Sequence, residues 1–175
     1  MAANWTAFVS GAVLTAAQLN DVVDNFADIA IFNETQASGT NGGTFTSGSY
    51  VKRTLNTTVV NNITGCSIAS SVITLPAGTY HVFASAPAFA VNNHKSRLRN
   101  TTAGTNLQIG STMYTASASN VTSLSEVQAY FTLTASTTIE LQHQCATTKA
   151  TQGLGIECGF GDSEIYSQIT IIRVA

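Results

Sequence analysis

The residues able to do chemistry in this chain are few and scattered. His143 and Cys145 alternate on a stretch that reads as a strand, so both side chains fall on one face, with Cys158 further on. Such a trio invites comparison with a zinc site. Structural zinc, however, takes four ligands in paired short spacings, and the remaining cysteine, Cys66, lies far upstream. Three cysteines are also an odd number for a disulfide framework, which leaves free buried thiols as the expectation. The acids Glu126, Glu140, Glu157, Asp162 and Glu164 are candidates for the carboxylate pair of a glycosidase. Their spacing brings no two of them together, so they read as solvated loop and strand-face acids. Asp162 and Glu164 supply too few oxygens for calcium, which takes about six to eight. No G-x-S-x-G elbow is present. Gly153, Gly155, Gly159 and Gly161 lack the βαβ context of a phosphate cradle and read as turn residues before the last strand. His81 and His94 each stand alone. The chain is therefore expected to be non-enzymatic, with no cofactor and no metal.

One patterned set remains. Lys95, Arg97 and Arg99 alternate with His94, Ser96 and Leu98, which puts the three cations on one strand face. A row of like charge costs stability unless something answers it. Either an external anion does so, such as a sugar or phosphate, or the row faces an acid across a subunit boundary or lines an oligomer axis.

The rest of the composition is sparing in charge. Asp, Glu, Lys and Arg make up 9% of 175 residues, against about 25% in ordinary domains. Thr, Ser and Asn fill the polar positions instead, and Thr favours a pleated sheet because its branched side chain is stiff. A net charge of −2 with seven Lys and Arg supplies no basic stripe for nucleic acid. No apolar run approaches the roughly 20 residues needed to cross a bilayer, so membrane insertion is not expected. Met1 to Ser10 lacks the basic and apolar regions of a secretory signal, and synthesis in a cytoplasm is the expectation.

The elements that must position these residues fall into two kinds. Thr15-Ala-Ala-Gln18 spells a capping box, followed by Leu19, Val22, Val23, Phe26 and Ile29 at three- and four-residue steps. This predicts a helix over about 15–32, whose apolar stripe must pack either on its own sheet or on copies of itself. Trp5, Phe8 and Leu14 precede it as further candidates for anchoring. Residues 38–49, rich in Gly, Ser and Thr, read as a linker. From residue 50 the pattern is all strand: 51–60, 67–75, 79–91, 107–114, 121–134, 138–145 and 164–174, with Pro87 marking an edge, bulge or bend. Three parts result: 1–37, 38–49 and a β-sandwich of 50–175. Tyr80, Val82, Phe131, Leu133, Ile169 and Ile171 are the predicted core or subunit-packing residues.

Two resemblances add to this reading. Leu75-Pro-Ala-Gly-Thr-Tyr80, the hairpin Phe131 to Leu141 and the closing Gly161-Asp-Ser-Glu-Ile-Tyr166 resemble strands of C1q/TNF-like jelly rolls. The opening from Trp5 to Asn20, with Phe8, Gly11 and Val13-Leu14-Thr15, is similar to the opening of tailed-bacteriophage fibre and head-fibre proteins. Arg53-Thr-Leu-Asn56 and His94-x-x-Arg97-Leu98-x-Asn100-Thr101 resemble phrases of phage-borne jelly rolls. The resemblance implies a homotrimer made in a bacterial host's cytoplasm and carried on the virion. Its N-terminus would bind other head or tail proteins, and its knob would face outward to a host-surface glycan or protein. The absence of a shaft favours a short fibre, spike or decoration protein over a long fibre. A carbohydrate-binding or C1q-like adhesion module unattached to a virion is the alternative.

Overall fold

In a computed structural model, the residues described are 28–174 together with Gly11, Val13, Thr15 and Ala16. Trp5, Phe8, Leu14, Leu19, Val22, Val23 and Phe26 lie outside them, as does the greater part of the expected helix.

The described chain is an antiparallel sandwich of eleven strands. They are β1 (Ile29–Gln36), β2 (Val51–Lys52), β3 (Thr57–Asn61), β4 (Ser67–Ala69), β5 (Val72–Leu75), β6 (Gly78–Phe89), β7 (Asn92–Asn100), β8 (Thr105–Thr115), β9 (Thr122–Leu133), β10 (Thr137–Cys145) and β11 (Glu164–Arg173). One sheet runs β3-β1-β11-β6-β9, and the other runs β4-β5-β10-β7-β8 with β2 also paired to β10. The alternation read from sequence decides which side chains enter the space between them. On β6, Tyr80, Val82, Ala84 and Ala86 are buried, while His81 and Phe83 face outward. Five of the six expected packing residues, Tyr80, Val82, Leu133, Ile169 and Ile171, belong to the buried apolar cluster, and Phe131 packs against it half-buried. All six therefore fill the interior of one subunit.

Four expectations need correction. Ile29 to Phe32, assigned to the end of the helix, form the start of β1, which pairs with both β11 and β3. A short apolar run such as Ile-Ala-Ile-Phe fits either period, and two waiting strand edges decide in favour of sheet. The expected linker is tied down: Phe45 is fully buried and bridges to Lys149, and Thr40 accepts the Tyr166 hydroxyl at 2.6 Å. Residues 51–60 break into β2 and β3 instead of running as one strand. Residues 67–75 fold back as a hairpin around Ser70 and Ser71, whose φ values of 48° and 62° give the turn the twist that joins adjacent strands. Pro87 lies beyond Ser85, the last β6 residue paired with β11, so its missing N–H costs no ladder bond on that side.

The sheets are stitched where β8 passes beside β9. Ser125 Oγ accepts from the Ser96 amide at 2.8 Å and donates to Ser111 O at 2.7 Å, while Ser111 Oγ accepts from the Glu126 amide at 2.8 Å. Gly110 permits this approach, since a Cβ there would stand 2.8 Å from Glu126 O.

Candidate association face

The outward side of the β3-β1-β11-β6-β9 sheet is built by strand register. Ile29, Ile172, His81 and Tyr130 lie in one row across β1, β11, β6 and β9, and Ile31, Thr170, Phe83 and Gln128 form the next. His81 stacks on Phe83 at 4.3 Å between ring centroids and meets Tyr130 edge-on at 6.2 Å. Phe83 remains 40% exposed and Tyr130 71% exposed. Ile165 and Ile172 on β11 and Leu124 on β9 continue the apolar surface. Among the described residues pointing outward from β11, β6 and β9, Glu126 is the one carboxylate. An aromatic and aliphatic sheet face with so little charge leaves in water what a second protein surface would cover.

The outward side of the other sheet has the opposite character. Lys95, Arg97 and Arg99 stand on β7 opposite Gln144, Gln142 and Glu140 of β10. Arg97 Nε and Nη2 both donate to Gln142 Oε1, at 2.8 and 2.7 Å, and its guanidinium lies 3.7 Å over the Tyr50 ring. Arg99 Nη1 donates to Asn106 Oδ1 at 3.0 Å. Arg97 and Arg99 are thus answered by neutral amides and a ring of the same chain. Glu140 is taken up by Lys52 at 3.9 Å and by the Gln142 amide at 2.6 Å. Burial, then repulsion from Arg99, holds the Arg97 guanidinium below its ordinary value.

A buried polar seam crosses the interior between these faces, and residue-by-residue reading of the sequence missed it. Arg53 is completely buried. Its Nη2 donates to Glu34 Oε2 at 2.7 Å and to Leu154 O at 2.8 Å, and its Nη1 to Pro87 O at 3.3 Å, while Nε has no acceptor among the described residues. Nearby, His94 Nδ1 and His143 Nε2 share a hydrogen bond of 2.9 Å, and His94 Nε2 meets Ser123 Oγ at 2.8 Å. His94 therefore does not stand alone. Serine, imidazole, imidazole is the order of a nucleophile, a base and an orienting group. Basicity separates this chain from such a triad. Burial and then Arg53 lower His94 to about 4, and burial, Arg53 and His94 lower His143 to about 2, so neither ring accepts protons readily near neutral pH. Ser123 also sits on the inward row of β9. The arrangement suits packing between sheets.

The remaining sequence candidates disperse. Cys145 is buried, Cys66 half-buried and Cys158 exposed, all as free thiols; burial pushes Cys66 and Cys145 up to about 11. Exposed Cys158 departs from the expected buried thiol because it sits in the loop before β11. No group of three His, Cys, Asp or Glu able to hold a metal occurs among the described residues. Glu164 Oε1 accepts from the Gly39 and Gly159 amides at 3.0 and 2.8 Å, and Oε2 from Cys158 at 3.1 Å, which holds its carboxyl below the usual range. It is a loop clamp. Gly153 serves the same region: a Cβ there would stand 2.7 Å from Phe45 Cβ. No helix among the described residues is long and apolar enough to cross a membrane.

Solved structures share this architecture. The globular domain of zebrafish complement 1qA protein superposes with a TM-score of 0.52 at 13% identity, covering 84% of this chain and 95% of that one. Murine APRIL gives 0.53 at 8% identity over 83% and 98%. PRD1 vertex protein P5 gives 0.54 at 10% identity over 85% and 98%. No family sequence profile and no curated protein matches the chain. The fold is thus a C1q/TNF-like jelly roll, as the strand phrases implied.

Proposed function

We propose that this chain is a non-enzymatic structural subunit of a tailed-phage virion. It is a homotrimer that covers the outward face of the β3-β1-β11-β6-β9 sheet with copies of itself. The observation that carries the reading is that face, with Phe83 and Tyr130 exposed beside Ile172 and Ile165 and Glu126 as its single acid among the described residues. The Trp5–Asn20 opening supports the virion assignment, and the jelly-roll architecture shared with a vertex protein is consistent with it. The segment before β1 anchors the subunit to head or tail proteins, and the sandwich faces the host surface as a short fibre, spike or decoration knob.

The mass of the full chain in solution tests the trimer. The expected result is three times 18.3 kDa, and a strict monomer at micromolar concentration overturns it. Phe83→Glu with Tyr130→Glu should yield folded monomer. Deleting residues 1–27 tests the anchor: the soluble knob should form and fail to join the particle. Unchanged incorporation would overturn the anchor role, whereas a full chain that joins no particle would favour an adhesion module unattached to a virion.

A further inference from the structure

Four of the seven Lys and Arg of the chain, Lys52, Lys95, Arg97 and Arg99, stand on the outward side of the β10–β7 region. One acid, Glu140, accompanies them, already engaged by Lys52 and Gln142. The other three are accounted for elsewhere: Arg53 pairs with Glu34, Arg173 with Asp28, and Lys149 lies over Phe89. In a chain of net charge −2, this face is a local excess of positive charge. Lys95 has no hydrogen-bond or ionic partner among the described residues, and it borders a shallow groove of about 400 Å³ lined by Tyr50, Asn93, Thr112 and Gln144.

We infer that this groove and the Lys95–Arg97–Arg99 row bind a linear polysaccharide carrying carboxylates. The inference rests on the adsorption role proposed above and names the ligand class. Alternate residues on a strand repeat at about 6.8 Å, so the three cations stand in series along one line and do not close around a single point. A single small anion needs converging donors, whereas a polymer offers its charges one after another. The amides of Asn93 and Gln144 and the Thr112 hydroxyl supply the donors and acceptors that sugar hydroxyls require. The open edge of each guanidinium adds paired donors suited to a carboxylate. β7 is central in its sheet, between β10 and β8, so no free backbone edge exists on it for an added peptide strand. Arg97 lies over the Tyr50 ring, but exposed Tyr114 stands opposite Asn93 on β8, and single-stranded nucleic acid, which stacks its bases on such rings, is the rival ligand to be measured beside the polysaccharide.

The test measures binding of the full chain to immobilised polygalacturonate, neutral dextran and a single-stranded DNA oligonucleotide, with solution mass recorded for every protein. The expected result is polygalacturonate binding that weakens as salt rises, no dextran binding and weaker DNA binding. Arg97→Gln with Arg99→Gln should lower polygalacturonate affinity at least tenfold while leaving mass and thermal midpoint unchanged. Wild-type protein that fails to bind polygalacturonate at low salt overturns the inference, as does DNA binding of equal strength. So does a double variant that binds like wild type. A double variant that loses its oligomer assigns the row to a subunit seam and also overturns it. Trimeric wild type that ignores polygalacturonate leaves the trimer reading intact; monomeric wild type that binds it overturns the trimer alone.

Discussion

The same strands fill the two halves of the sandwich interior with opposite materials. Along one half, β10 contributes Ile139 and Leu141, β7 Leu98, β9 Val127 and Ala129, β1 Ala30 and Phe32, and β11 Ile169 and Ile171, all buried. One or two pleats further on, the inward rows become His143 on β10, Ser96 and His94 on β7, Ser125 and Ser123 on β9, Glu34 on β1 and Ser167 on β11. β6, which spans both halves, stays apolar along its inward row from Tyr80 to Ala88. The first half holds together through non-directional burial, in which neighbours of similar volume substitute for one another. The second holds through bonds with fixed partners, and a missing partner leaves a buried polar group exposed to nothing. Arg53 Nε and His143 Nδ1 already lack one among the described residues.

The most severe way to break this comparison is Arg53→Met, which strands the Glu34 carboxylate. It should cost about 3–5 kcal/mol in denaturant unfolding. Adding Glu34→Leu should restore a large part of that loss, and if it restores none the polar half depends on more than its ion pair. Leu141→Ala in the apolar half should cost about 3 kcal/mol; a much smaller loss would mean that half can collapse around a void. A third measurement follows unfolding free energy against pH. His94 at about 4 and His143 at about 2 lie below the unfolded value of about 6.5, so the unfolded chain takes up protons first. Stability is complete above about pH 6.5 and falls as pH drops from there toward 4, by up to about 1.4 kcal/mol per pH unit for each ring. The double change His94→Gln and His143→Gln should flatten that slope. The smallest effect is expected from Ser96→Ala, about 1 kcal/mol, with the acid slope unchanged.

How far the sequence reveals the molecule follows the same division. Alternation exposed the inward rows of β6, β9 and β11, because burial writes itself as a period of two. It also placed Lys95, Arg97 and Arg99 on one face, where they stand. It could not pair Glu34 with Arg53, which lie 19 residues apart and belong to different elements. His143 was visible beside Cys145, but its partner His94 is 49 residues away and shares no spacing with it. The exposed apolar face was illegible for a related reason: Phe83 and Tyr130 look like any strand aromatics until register sets them around His81. Ile29 to Phe32 continued a helical stripe by period, and only the open edges of β11 and β3 made them strand.

The placement of β1 between β11 and β3 has a mechanical consequence. If the particle holds the chain by its N-terminal segment, any drag on the knob reaches the sandwich through Ile29. Force then runs along β1 while its ladder bonds lie across it. The bonds to both neighbours share such a load in shear instead of opening one at a time like a zipper. A tether entering an edge strand would peel; one entering here pulls against two ladders at once.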